Sequence, residues 1–230
     1  MPPEPKKGKR ILILCYSFSG QTSAMVRRMA EVLEAAGNEI HRERIEPMRA
    51  MRFPVSGIPA TMVMMVTTFL RFRIPIQPLS PRCHEDYDLI ILAGPTWSYN
   101  PSGPVLSLMD RDGPRLFTSK TVLPFISCRG YWRLHWAGLR KMLQRCGAAV
   151  PNVMIFSHPN PEPWRTLGVF LKIAGKTPER AAFIGRRYKK FGHSREQIEE
   201  AGRFAGMIHE ALVSNLPLAD LDFQTPIALP

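Results

Sequence analysis

Four short apolar runs and one alternating stretch, separated by segments with three- and four-residue apolar spacing, set the frame of this chain. Residues 11–15 (Ile-Leu-Ile-Leu-Cys) and 88–94 (Asp-Leu-Ile-Ile-Leu-Ala-Gly) are near-continuous apolar runs, as expected of parallel strands buried on both faces. Residues 121–128 and 150–157 repeat that pattern, and residues 39–45 alternate charged with apolar positions as a short, half-exposed strand does. From residue 20 to 36, Met25, Met29, Val32, Leu33 and Ala36 fall on one helical face, and Gly37-Asn38 ends the pattern. A short helix starts over 105–109, and another runs through Arg145 with Trp136, Leu139 and Leu143 on one side. The last helix spans 194–213, opened by Ser194-x-x-Gln197 as a capping box. Such alternation predicts an α/β fold: a five-stranded parallel sheet, helices on both faces, right-handed crossovers. Ligands of such sheets bind beyond the carboxyl ends of the strands, near a topological switch point.

Two stretches interrupt the alternation, and residues 1–230 read as one domain carrying insertions at about 47–85 and 159–193. Pro54, Pro59, Pro75, Pro78 and Pro81 punctuate the first. Its apolar middle, residues 61–73, is too short to span a bilayer and predicts a helix covering one face of the sheet, with a lid or an interfacial segment as alternatives. In the second, Trp164, Leu167, Phe170 or Leu171, and Ala174 share a helical face bordered by Arg165, Lys172 and Lys176.

Charge sharpens that second stretch. The chain carries +12 overall, and the window from Trp164 to Arg195 holds nine Lys/Arg against Glu179 alone, a local +8. Residues 164–190 therefore read as a packed helix or homodimer interface with a solvated basic edge, or as a contact with an anionic membrane surface. Nucleic acid is disfavoured because the aromatic residues are not interleaved with the basic ones. Cys15, Cys83, Cys128 and Cys146 form no C-x-x-C pair, so neither a structural zinc site nor a disulfide framework is expected, and a reducing cytoplasm is the expected location, with the basic patch allowing a peripheral position at the inner membrane surface. No metal ligand set and no Ser-His-Asp order is discernible.

The candidate chemistry lies in three loops that the topology should bring together. After the first strand, Ser17, Ser19, Gly20, Gln21 and Thr22 offer hydroxyls, a permissive backbone and a helix N-terminus, the makings of a phosphate-monoester site or of a plain helix cap. It is neither a Walker loop nor a dinucleotide fingerprint. After the third strand come Pro95, Thr96, Trp97, Tyr99, Asn100 and Gly103, and after the fourth come Cys128, Arg129, Gly130 and Tyr131. A flat heterocycle finds stacking surfaces, backbone donors and room for close approach in such loops. His158, after the fifth strand, is a candidate proton donor, and no catalytic residue is otherwise assigned.

The pattern Ser17-x-Ser19-Gly20-x-Thr22 and the loop Gly94-Pro95-Thr96-Trp97 together resemble the flavodoxin-like superfamily over roughly residues 9–157 and the last helix. Within it the chain looks most like the NAD(P)H-dependent oxidoreductases, and Cys128-Arg-Gly-Tyr-Trp resembles proteins labelled dialkylresorcinol condensing enzymes. The resemblance implies a flavodoxin-like three-layer sandwich with FMN held noncovalently, its phosphate at the first loop and its ring between the second and third. It also implies NAD(P)H as electron donor and a small-molecule acceptor of quinone-like or other apolar character. The three loops contain no Asp or Glu while Arg129 and Arg133 flank the third, which favours two-electron hydride chemistry over one-electron shuttling. The alternative is an electron carrier or a flavin-free interaction protein using the basic patch, since Phe18 and the proline-rich second loop narrow the expected pocket.

Overall fold

The computed structural model describes residues 8–55, 57–180, 184–188 and 191–230. Five strands, β1 (Arg10–Cys15), β2 (Glu39–Arg44), β3 (Leu89–Trp97), β5 (Val122–Cys128) and β6 (Met154–Ser157), form a parallel sheet in the order β2-β1-β3-β5-β6. A two-residue strand, β4 (Asn100–Pro101), folds back antiparallel on the end of β3. This is the flavodoxin-like doubly wound order, with its switch point between β1 and β3.

Alternation along the strands sorts the core into two layers. Ile11 and Ile13 of β1 face α1 (Gln21–Ala35) and α7 (Arg195–Ser214), packing with Met25, Met29, Leu33, Phe204 and Ile208, all fully buried. Leu12 and Leu14 face the other way, toward α3 (Gly103–Arg111), α4 (Gly113–Phe117) and α5 (Arg133–Arg145) through Leu108, Phe117, Leu139 and Leu143. The capping box of α7 forms as its sequence predicts: Gln197 N donates to Ser194 Oγ at 3.2 Å and Ser194 N to Gln197 Oε1 at 3.1 Å.

Three local readings change. Residues 95–97 are strand, because the Thr96–Pro101 and Trp97–Asn100 pairing extends β3 past the expected loop start. The last strand begins at Met154 instead of 150. The largest correction concerns α2 (Gly57–Phe69), expected to cover a sheet face. Only Thr61 of it is buried, while Met62, Val63, Val66 and Phe69 are each at least half exposed, so α2 is a roof beyond the strand ends and not a core layer. Among the described residues, no helix is long and apolar enough to cross a membrane.

Candidate functional site

β1 delivers the first loop to the sheet's carboxyl edge. Gly20 sits at φ 81°, a left-handed conformation that glycine enters freely, and a Cβ there would meet nothing within 4 Å, so backbone conformation and not crowding demands the glycine. No side chain caps the first turn of α1, which leaves the helix-cap reading of Ser17, Ser19 and Thr22 without its hydrogen bond. Ser17 Oγ is buried with no hydrogen-bond partner, Thr22 is buried, and Ser19 lies half-buried beside them. Unspent donors at a helix N-terminus are the elements of an anion site.

That loop is flanked by aromatic rings. The Phe18 ring meets Phe53 and Trp97 edge-on at 5.3 and 5.6 Å, and Phe53 stacks on Phe191 at 5.5 Å. Gln21 Oε1 lies 3.1 Å from His158 Nε2, and the same side chain packs against Gly192, whose φ of 97° brings the backbone in. Phe53, His158, Phe191 and Gly192, distant in sequence, thus pack against the loop at Phe18 and Gln21, while Gly20 stays exposed.

The second and third loops enclose a cavity of about 100 Å³. Thr96, Trp97, Ser98 and Tyr99 form one wall and Arg129 and Tyr131 another, while Met64, Met65 and Thr68 of α2 and Val169, Phe170 and Ile173 of α6 (Trp164–Ile173) roof it. Tyr99 and Tyr131 meet edge-on at 5.5 Å, both partly exposed, and the Arg129 guanidinium lies 5.8 Å from the Tyr131 ring. Trp97 is buried, edge-on to Tyr16 at 5.5 Å. Thr96 Oγ1 is 2.7 Å from Nδ1 of His135, a buried α5 residue.

The other expected site residues have different employment. Asn100 Nδ2 donates to the Thr68 and Phe69 carbonyls at 3.3 Å, tying the end of α2 to β4. Gly103 is a packing glycine, since a Cβ there would lie 2.8 Å from the Phe72 carbonyl oxygen. The close approach at Gly130 is taken by the Arg165 guanidinium, 2.7 Å from where a Cβ would stand. Cys128 is buried and its thiol is pushed up to about 12 by desolvation, which makes it inert; Pro95 lies on β3 beside Ser127 of β5. Arg133 lies over the Trp132 ring at 4.8 Å and does not line the cavity.

Three buried histidines underlie the site. His158 has an unpartnered Nδ1 and rings of Phe191 and His193 at 5.7 and 5.2 Å. Burial first, then His193, Arg165 and Arg129, hold it well below the usual imidazole range, so it is neutral and does not donate protons near pH 7. His193 bridges Ser127 Oγ (2.7 Å from Nε2) and Gln197 Oε1 (3.1 Å from Nδ1). Gln197 Nε2 donates to the Ser157 and Ile227 carbonyls, which turns Oε1 toward His193 and assigns the proton to Nδ1. The Ser–His–Gln order mimics a nucleophile relay, but Ser127 is buried and does not line the cavity; the chain of bonds is a strut between β5 and α7.

Sequence reasoning placed Arg165 at the basic border of a helix and not beside the site, where it donates to the His158 carbonyl at 3.1 Å and pairs with Glu162 at 3.1 Å. Nor did it find the roof residues of α2 and α6, whose spacing signals a helix but not what the helix faces. Within the expected basic patch, Lys172 pairs with Glu179 at 3.2 Å and Arg187 lies over Trp164 at 5.2 Å. Lys189 and Lys190 lie outside the described residues.

No protein-family model and no curated protein sequence matches the chain. Among solved structures it is similar to a flavoprotein from Lactobacillus acidophilus NCFM in complex with FMN, at 20% identity and a TM-score of 0.49 over 64% of this chain and 92% of that one. A WrbA-like flavodoxin from Agrobacterium tumefaciens matches at 14% identity and a TM-score of 0.46, over 90% and 99% of the two chains. The rubredoxin:oxygen oxidoreductase of Desulfovibrio gigas matches at 14% identity and a TM-score of 0.48, over 92% of this chain and 38% of its own length. The fold is flavodoxin-like, an assignment carried by the strand order itself.

The residues fit FMN unevenly. At the phosphate end the buried Ser17 hydroxyl, Thr22, Gly20 and the uncapped helix suit a dianion. At the ring end the 100 Å³ cavity is smaller than the roughly 300–1,000 Å³ of small-molecule sites, and as it stands it does not hold a three-ring heterocycle.

Proposed function

We propose that this chain is an FMN-dependent oxidoreductase that moves a hydride from NAD(P)H to a quinone-like or other apolar acceptor. The observation that carries the reading is the coincidence of a flavodoxin-order sheet with an apolar-walled cavity at the carboxyl ends of β3 and β5, next to an uncapped phosphate loop. When bound, FMN supplies the redox chemistry, accepting a hydride from the nicotinamide and passing two electrons on. Ser17, Ser19, Thr22 and the first-turn amides of α1 would hold the phosphate; Trp97, Tyr99 and Tyr131 would contact the ring. Arg129 places positive charge at the cavity wall, where it would stabilise an anionic ligand. The methionines of α2 give the roof an adaptable apolar surface for the acceptor.

Purified protein, stripped of flavin and mixed with FMN, is expected to quench FMN fluorescence at one equivalent and to bleach the flavin absorption under anaerobic NADH or NADPH. Absence of FMN binding overturns the reading, and bound flavin that no nicotinamide reduces favours the electron carrier.

The same roof also faces solvent with an apolar surface. Ile58, Met62, Val63, Val66, Phe69, Leu70 and Phe72 are each close to half exposed or more, a contiguous patch that water disfavours, on a chain of net charge +12. The reading includes docking of this patch on an anionic lipid surface, in place of the 164–190 stretch, whose basic side chains are partly paired internally. Vesicles with anionic lipid should co-float the protein, and the double substitution Val66→Asp with Phe69→Asp should reduce flotation at least tenfold while leaving the melting temperature unchanged. Equal flotation of the two proteins, or none of either, overturns the docking.

A further inference from the structure

The outer edge of the sheet, away from the cavity, gathers three metal-ligating side chains that the redox reading does not use. β2 is the edge strand, and the two-residue repeat of a strand puts His41 and Glu43 on one face. A 3-10 turn over Pro81–His84 lays Cys83 against them. One ligand atom from each, imidazole N, carboxylate O and thiol S, lies within 4.8 Å of the other two. Cys83 is buried, and the His41 and Glu43 side chains are only 12% and 16% exposed.

Ser80 Oγ occupies the middle of this triangle, 3.2 Å from His41 Nε2, 2.9 Å from Glu43 Oε2 and 3.6 Å from Cys83 Sγ. The backbone N–H of Ser80 donates to Glu43 Oε1 at 2.8 Å, fixing the carboxylate's orientation from outside the triangle. A hydroxyl ringed by nitrogen, oxygen and sulfur donors stands where a small cation would. Rotation of the Ser80 hydroxyl out of the centre, with modest inward movement of the three side chains, would reach zinc bond lengths of about 2.0 Å to nitrogen and oxygen and about 2.3 Å to sulfur.

We propose that His41, Glu43 and Cys83 form a binding site for a divalent transition-metal ion of the zinc class, with the Ser80 hydroxyl or a water as fourth ligand. The donor set selects the metal class, because a thiolate and an imidazole favour zinc over magnesium or calcium. Charge supports the burial: thiolate, carboxylate and a dication sum to zero, so the assembled site enters the half-buried edge without net charge. Binding releases the Cys83 thiol proton to solvent and involves no electron transfer. The ion would clip the 3-10 turn that precedes β3 onto an otherwise open sheet edge, so the site is structural and independent of flavin.

The test uses the full-length chain, dialysed against chelator and titrated with Co2+ under reducing conditions that do not compete for the metal. One equivalent should produce a thiolate-to-cobalt charge-transfer band with visible absorption of four-coordinate intensity, and stoichiometric Zn2+ should abolish both. Cys83→Ser should lose the charge-transfer band, whereas Cys146→Ser, altering a cysteine elsewhere, should keep it. His41→Gln and Glu43→Gln should each weaken Zn2+ binding at least tenfold in competition with a chromophoric chelator, with circular dichroism confirming that the variants fold. Absence of a charge-transfer band in the native chain, its survival in Cys83→Ser, or no Zn2+ binding tighter than about 1 mM overturns the site.

Discussion

The unfolding free energy of this protein should fall by about 4 kcal/mol or more between pH 7 and pH 5, through the histidines buried beneath the candidate site. Desolvation holds His135 down to about 3 and His193 down to about 4, against an ordinary value of 6.5 in the unfolded chain. A depressed imidazole pKa means that the unfolded state takes up protons that the folded state refuses. Stability is therefore whole above pH 6.5 and is lost as pH falls below it, down to the folded values. At pH 5 each of these two residues contributes about 2 kcal/mol of loss, from roughly 1.4 kcal/mol per pH unit. His158 is displaced in the same direction and adds to the fall. The acidic groups with lowered pKa, such as Glu200 held by Arg203 at 2.8 Å, act in a lower window, because their stability is lost only as pH drops through the carboxylate range. Against a total stability of about 5–15 kcal/mol, the histidine contribution is between about a quarter and most of the total. Urea unfolding at half-unit steps from pH 7.5 to pH 5 measures it, and His135→Gln should flatten the slope by about one proton. Uptake of less than one proton on unfolding at pH 5.5 would show that these imidazoles are hydrated.

These histidines also mark where the sequence stops speaking. The strand cores were legible because a strand buried on both faces must be apolar throughout, as Leu12 to Leu14 and Leu89 to Leu92 are, and α1 and α7 were legible from spacing alone. The position of α2 was not, because residues 62–66 are apolar on every side, and a run without period carries no direction. The three loops were found from residue type, yet the contacts that narrow them come from far away: Gln21 to His158 spans 137 positions and Ser127 to His193 spans 66. The His41, Glu43 and Cys83 triangle escaped for the same reason, since the expectation of no structural zinc rested on local C-x-x-C spacing, whereas the cysteine is supplied by a turn about forty residues beyond the strand. Local chemistry shows in sequence; convergence requires the fold.

Replacing Ser19 by Asp separates the two physical uses of the first loop, because they respond with opposite sign. A helix N-terminus carries about half a positive charge, and a carboxylate just before it stabilises the helix by about 0.3–1 kcal/mol. If the loop served only to start α1, Ser19→Asp would leave function untouched and raise stability slightly. A bound phosphate dianion experiences the same carboxylate as a repulsion; at about 5 Å and an effective dielectric near 20 this amounts to several kcal/mol. The expected outcome is a melting temperature equal to or slightly above the native value in the flavin-free protein, together with a loss of FMN affinity of at least about a hundredfold. Ser19→Asn, which keeps the size and hydrogen-bonding capacity without the charge, should lose less than about tenfold. Riboflavin supplies the internal control. It has the ring but no phosphate, so its weaker binding should be nearly the same in native protein and Ser19→Asp. Equal FMN affinity in the native protein and Ser19→Asp would place the phosphate elsewhere, despite the buried, unpartnered Ser17 hydroxyl and the uncapped first turn of α1.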